Sequence, residues 1–341
     1  MRPAAHCWLR LGLLLFTVLL AASTANAADF YRGRQIRLIL GFPAGNDYDL
    51  GARLLAKYLP KYIPGQPGII VQNLPQAASV AAANYLYAQA PHDGTVFGSF
   101  SRNIVNDALT GESNVALDPR RFNWLGATSH PARVCARWFT APVKTPADLF
   151  THEFIVGAAG ATSSLAILPT VLNKVLGTKF HIVEGYQGMG DTVLAVQRGE
   201  VQGVCASYAQ FRIASQLVHD GKLLFLLRAE QSPIAELPDV PSIFDYAKTG
   251  EQRQLMQFVF SSTEFGRPYV FPPGVPKDRI DILRKAIAEA AHDPQLIAEA
   301  ASIKMDMSYT PPEHLEQLVA RLYATPHALV DTVKAILPNE R

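Results

Sequence analysis

Between Ile36 and Phe100, short apolar runs alternate with longer stretches whose apolar residues return every third or fourth position. Ile36–Leu40, Ile69–Asn73 and Thr95–Phe100 read as strands, with helices at Leu50–Leu59 and Ser79–Gln89 between them. Strands separated by helices of this length predict βαβ units and a parallel sheet. Leu50, Leu54 and Tyr58 share one helical face, which is expected to pack on that sheet.

An extended segment at Val134–Phe139 opens a second series. Phe154–Ala158, His181–Val183 and Val201–Ser207 read as strands, Leu165–Leu176 and Thr192–Arg198 as helices, and Gly199 stands where a C-cap glycine belongs. Beyond Pro238–Pro241 come the apolar runs Phe258–Phe260 and Tyr269–Phe271, then helical segments at Asp278–Ala291, Pro294–Ala300 and Pro312–Leu337. One α/β series, a crossing, a second series and a return predict two lobes, 28–130 with 250–341 and 131–249. Ligands of open α/β sheets sit at the carboxyl ends of strands. Three loops qualify here: Phe42–Asp47, Asn73–Ser79 and Gly160–Ser164.

Residues 1–27 read as a signal peptide, with Arg2 and Arg10 as a positive stretch ahead of an apolar run, Leu11–Leu20, and Ala25-Asn26-Ala27 as the cleavage site. The run is short of the ~20 residues that span a bilayer. Cys7 precedes it, which does not fit a lipoprotein. The expectation is export to the periplasm as a soluble protein. Without Arg2 and Arg10, the 31 Lys and Arg fall to 29, equal to the 29 Asp and Glu. A neutral chain argues against nucleic acid or a polybasic membrane surface, so any anion affinity has to be local. Of the three cysteines, Cys135 and Cys205 remain after processing, either as one disulfide or as two buried thiols.

The loop GFPAGNDYDLGARLLAKYL, Gly41 to Leu59, is the strongest candidate for chemistry. A strand ends, Gly45 permits close backbone approach, Asn46 or Asp47 can cap the helix, and Phe42 with Pro43 can wall a pocket. A helix N-terminus offers unpaired N–H groups and the positive end of a dipole, which suit a carboxylate or phosphate. An ordinary βα turn accounts for the same residues. Gly160-Ala161-Thr162-Ser163-Ser164 repeats the arrangement with hydroxyl donors, and plain N-capping explains it equally well.

Signals of catalysis are scarce. Gly188-Met189-Gly190 begins like a dinucleotide fingerprint, but Val193 stands at its last glycine, and Asp191 is expected near the following cap. Tyr186 beside it either points into the cleft or packs. No G-x-S-x-G, S-x-x-K, Walker or H-E-x-x-H motif occurs, and the histidines lack ligand spacing. Neither catalytic residues, a metal site nor a cofactor is expected.

The ordered motifs resemble the Bug-type periplasmic receptors of tripartite tricarboxylate transporters. Phe42-Pro43-Ala44-Gly45-Asn46-Asp47-Tyr48-Asp49 with Ala52-Arg53 is similar to the family's first loop, and Asn73-Leu74-Pro75-Gln76-Ala77-Ala78 to its second. Pro91-His92-Asp93-Gly94-Thr95, Val183 to Gly188, Arg198 to Gln202, Pro238 to Phe244 and Pro273-Gly274-Val275-Pro276 follow in the expected order. Asn46 and Gln76 replace usual glycines, and Glu184-Gly185 a usual proline.

The resemblance implies a type II, Venus-flytrap fold with a ligand cleft between lobes. It implies a monomeric, non-enzymatic receptor that binds a small carboxylate and delivers it to a permease of one small and one large integral membrane subunit. A sensor feeding a signalling kinase is the alternative, and a cleft enzyme a weaker one. The ligand residues it implies are Phe42, Ala44, Gly45, Asn46 and Ser101 on one lobe, and Ala161, Thr162, Ser163, Ser164 and Ser207 on the other. All are neutral donors. Ala206-Ser207, where amino-acid receptors carry an acid, favours a plain carboxylate.

Overall fold

A computed structural model describes residues 30–111, 114–129, 132–161, 163–231, 237–303 and 305–336. The segment expected to be a signal peptide, Thr162 and Leu337 lie outside them. Two five-stranded sheets form the frame. The first has the order β2-β1-β3-β10-β4, from β1 (Gln35–Leu40), β2 (Gly68–Asn73), β3 (Val96–Ser99), β4 (Asn123–Ala127) and β10 (Pro268–Phe271). β1 is parallel to β2 and β3, whereas β10 is antiparallel to both β3 and β4.

The second sheet has the order β7-β6-β8-β5-β9, from β5 (Arg133–Trp138), β6 (Phe154–Gly157), β7 (Phe180–Val183), β8 (Gly203–Ser207) and β9 (Leu223–Arg228). β6 is parallel to β7 and β8, and β5 is antiparallel to β8 and β9. The expected α/β, two-lobed architecture is therefore present.

The helices follow from their apolar spacing. α1 (Asp47–Tyr58), α2 (Val80–Ala88) and α3 (Ile104–Thr110) belong to the first series. α4 (Ser164–Leu176), α5 (Met189–Arg198) and the short α6 (Ser215–His219) belong to the second, and Gly199 caps α5 with φ +77°. The face of α1 that is buried is Asp49, Gly51, Ala52, Leu54 and Leu55. Leu50 is 45% exposed, so its expected place on the packed face is corrected. Helical periodicity over so short a segment fits two overlapping faces, and the sheet selects between them.

α7 (Gly250–Phe265) was not legible in the sequence, which offered only Phe258–Phe260 as an apolar run. Thr249 and Gln252 close a capping box at its start. It packs against α3 and α4, and against α10 (Pro312–Tyr323) and α11 (His327–Ile336). The single terminal segment expected from Pro312 is thus two helices. Pro326 lacks the N–H that would carry one helix through. α8 (Lys277–Ala291) and α9 (Pro294–Ser302) form as expected.

The antiparallel register sets Cys135 opposite Cys205, and the two form a disulfide inside the second sheet. That resolves the choice the sequence left open.

Candidate functional site

In both sheets the loops that follow the parallel strands gather at one edge. In the first sheet these are the segments after Leu40, Asn73 and Ser99. Because β10 runs antiparallel with Val270 opposite Gly98, Gly266 and Arg267 reach the same edge. In the second sheet the segments after Gly157 and Ser207 are joined by Arg133 at the start of β5 and by Glu230 just beyond β9.

The first loop is built largely to hold itself. Asn46 caps α1 by accepting from Asp49 N at 2.9 Å, and Gly45, at φ +87°, donates its N–H to Asp49 Oδ2 at 2.9 Å. The Asp49 carboxylate, only 2% exposed, also accepts from Arg53 Nε and Asn73 Nδ2. Burial pushes the Asp49 carboxyl up, but these hydrogen bonds outweigh burial and hold it below its ordinary range. Phe42 stacks on Tyr48 with ring centroids 3.9 Å apart, and its carbonyl accepts from Asn73. Ala44 is exposed.

Asp47 at the same helix start pairs with Arg267, which is buried against Gly51 and also donates to the carbonyls of Thr128 and Asp306. Two carboxylates of the first turn therefore already face this dipole. Asp47 and Tyr48 keep N–H groups without partners among the described residues, but an incoming anion there meets like charge.

The second loop carries backbone strain. Ala77, Ala78 and Ser79 all have positive φ, at 51°, 48° and 84°. Ser79 is fully buried, its Oγ accepts from Ser101 N at 2.8 Å, and it lies so close to Gly41 that a Cβ there would stand 1.9 Å from Oγ. Consecutive left-handed residues cost energy and persist only where neighbours over-determine them. Here they tie the ends of β1, β2 and β3 together.

The N-terminus of α4 differs in kind. Its first turn has no acidic residue, and the Ser163 hydroxyl makes no capping bond. Ser163 Oγ is buried without a hydrogen-bond partner, and buried hydroxyls are normally satisfied. Ala161 and Ser164 are exposed beside it. The guanidinium of Arg133 lies against this turn, donating to Ser164 O at 3.0 Å, while Arg133 N donates to Glu230 Oε1 at 3.2 Å. Removal from water, and next the charge of Arg102, lower the Arg133 pKa to about 10, with Glu230 opposing. Arg133 therefore stays protonated at neutral pH.

Arg102 follows β3 and the predicted Ser101, and its N–H donates to Tyr48 Oη at 3.4 Å. Ser207 closes a capping box with Gln210. The ring of Tyr186 covers Gly157, so it packs rather than opening outward. Neither Arg102 nor Arg133 was read from the sequence as a site residue. Their one signal is position, a cation next to a strand terminus.

A cavity of about 810 Å³ is lined by Ala132, Tyr208, Arg212, Glu230, Glu264 and Asp306, among others, so it draws on segments adjoining both sheets. None of the nine described site residues expected from the sequence lines it. Its wall mixes both charge signs with the glutamines Gln254 and Gln257, whereas one of the predicted loops carries a buried hydroxyl without a partner, that of Ser163. We therefore weight the loops above this cavity. Among the described residues no group of three or more His, Cys, Asp or Glu could hold a metal ion. No helix among them is long and apolar enough to cross a membrane.

A TctC solute-binding protein from Polaromonas superposes with a TM-score of 0.69 at 19% identity, over 89% of this chain and 99% of that one. The fold is that of the TctC and Bug-type periplasmic binding proteins. The resemblance read from the motifs is borne out. Two Rhodopseudomonas palustris proteins share the fold more loosely. Rpa4515, solved with adipate, has a TM-score of 0.55 at 18% identity over 90% of this chain and 99% of its own. MatC, solved with malate, has 0.52 at 19% identity over 88% and 99%. In sequence, a UPF0065 protein encoded in the gbd 5′ region of Cupriavidus necator is 26% identical over 323 residues, 92% of this chain and 91% of its own. No family model matches the chain.

Proposed function

We propose that the chain is an exported, non-catalytic receptor that binds a small organic carboxylate and hands it to a tripartite tricarboxylate-type permease. In this reading it is a periplasmic monomer whose lobes, 28–130 with 250–341 and 131–249, close on the solute by a hinge. The observation that carries it is the turn at the start of α4. A buried Ser163 hydroxyl without a partner, a helix N-terminus without an acid and the Arg133 guanidinium converge there. One carboxylate would take the Ser163 hydroxyl and the first amides of α4, with Arg133 beside it. Gly45 and Asn46 shape the facing loop, since their own donor and acceptor groups serve its internal bonds.

The carboxylates in two structures of the same fold, malate and adipate, support the ligand class. Thermal denaturation against a panel of mono-, di- and tricarboxylates tests it. A ligand at a hundred times its Kd adds about 2.7 kcal/mol of stability. Ser163→Ala is expected to weaken the responding ligand about tenfold. A panel in which no carboxylate raises the melting temperature would overturn the proposal.

A further inference from the structure

We infer that the Cys135–Cys205 bridge is a positioning device for the solute site: it fixes the register of β5 on β8 and thereby the reach of the Arg133 guanidinium to the first turn of α4. The inference rests on the carboxylate reading above for its effect on binding, and on the sheet alone for its effect on Arg133. In the ladder between β5 and β8, Arg133 stands opposite Ser207, Val134 opposite Ala206 and Cys135 opposite Cys205. Residues two apart on a strand share a face, so the bridge lies on the same face as Arg133 and Ser207, at the next pair along.

The other side of β5 is held less regularly. β9 is the edge of the sheet, and its ladder with β5 shifts register between Cys135 and Ala136. Cys135 faces Leu227 but Ala136 faces Phe225, which leaves Leu226 without an opposite residue. Arg133 to Cys135 therefore pair with the end of β9 as one unit, separated by a break from the rest of that ladder. Ala229 N donates to Arg133 O at 2.8 Å and Arg133 N to Glu230 Oε1 at 3.2 Å, which ties Arg133 to that same unit and not to β8. Cys135, at the break, is bonded covalently to β8.

Placement on β8 is what the site needs. α4 packs on β7 and β8, and its Leu168, Val171 and Leu172 share a core cluster with both cysteines. Arg133, carried by β5, reaches across to the start of α4, where its guanidinium donates to Ser164 O at 3.0 Å. A slip of one residue between β5 and β8 moves a strand by about 3.4 Å and turns its side chains to the opposite face, which takes the guanidinium off the turn. The bridge forbids that slip at the place where the β9 ladder is broken.

The test compares residues 28–341 bridged, as Cys135→Ala/Cys205→Ala, and as wild type refolded in dithiothreitol. Dithiothreitol delivers two electrons and two protons to the bridge, leaves two thiols and becomes a cyclic disulfide. Far-UV circular dichroism and urea midpoints check that each form is folded, and the reduced wild type carries the test if the alanine variant does not fold. Failure of both makes the bridge a requirement of folding and overturns the positioning role. Without solute, the Arg133 Nε–H resonance, assigned by its absence from Arg133→Gln, is expected to shift or broaden when the bridge is absent and to return on reoxidation. With acetate, succinate, malate, adipate and citrate as probes, titration calorimetry is expected to show the acids that bind weakened about tenfold without the bridge. In an Arg133→Lys background the same loss shrinks below about threefold, because the planar fork being positioned is gone. An unchanged Arg133 resonance, or a loss that persists in full in Arg133→Lys, overturns this inference and leaves the carboxylate reading standing. A panel in which no acid binds overturns the carboxylate reading, while the Arg133 resonance still decides whether the bridge places the guanidinium.

Discussion

Replacing Asp49 by alanine tests whether the first loop is held from within. The carboxylate accepts from Gly45 N at 2.9 Å, Asn73 Nδ2 at 2.8 Å and Arg53 Nε at 2.9 Å. Hydrogen bonds to a charged group contribute about 1.5–3 kcal/mol each. Arg53 is 47% exposed, so its bond is discounted to about 1 kcal/mol or less. The bonds from Gly45 and Asn73 alone give roughly 3 kcal/mol, and Asp49→Ala is expected to cost about 3–4 kcal/mol. Asp49→Asn keeps one carbonyl acceptor and loses about 2 kcal/mol.

Urea unfolding of residues 28–341 at pH 7 in a Trp138→Phe background measures this, because the buried Trp124 then reports the first sheet. The pH dependence follows from the sign of the shift. The folded Asp49 pKa lies below its unfolded value, so its contribution is complete above the unfolded pKa and disappears as pH falls through the folded one. The gap between wild type and Asp49→Ala should therefore narrow below about pH 4. A cost under about 1 kcal/mol, or a gap unchanged down to pH 3, would refute the reasoning.

Two further outcomes follow from the frame. Arg267→Met leaves the Thr128 and Asp306 carbonyls without their donor and should cost about 3–5 kcal/mol; Arg267→Lys, which keeps charge but not the fork, should recover part of that, and a neutral Met variant would show the hub to be dispensable. Opening the Cys135–Cys205 bridge, 70 residues apart in sequence, should lower stability by about 2–4 kcal/mol. The drop is read from Trp138 in the second sheet with and without reductant, and identical urea midpoints would contradict it.

Much of the frame is legible in the sequence because it rests on local rules. Ile36–Leu40, Phe154–Ala158 and Leu165–Leu176 lie within a residue or so of observed elements, since apolar run length and helical period suffice to mark them. α7 was missed because its first turns, Gly250 to Gln254, are polar and its buried face takes in Ser261, Ser262 and Thr263 as well as phenylalanines. β9 was missed for the opposite reason. Leu223–Arg228 is too short for periodicity to separate strand from helix, and only its pairing with β5 makes it a strand.

Sequence alone therefore determined the alternation of elements, the loops at the strand ends and, through the order of motifs, the kind of binding protein the chain resembles. Each of these depends on neighbours along the chain. Tertiary structure decided what the loops can offer. It spent the Gly45 amide and the Asp49 carboxylate on each other, and left the Ser163 hydroxyl without a partner. It also put Cys135 opposite Cys205. Those outcomes depend on which groups meet across sheets, and hydrogen bonding and charge at such meetings are set by distance in space, which separation along the chain does not encode.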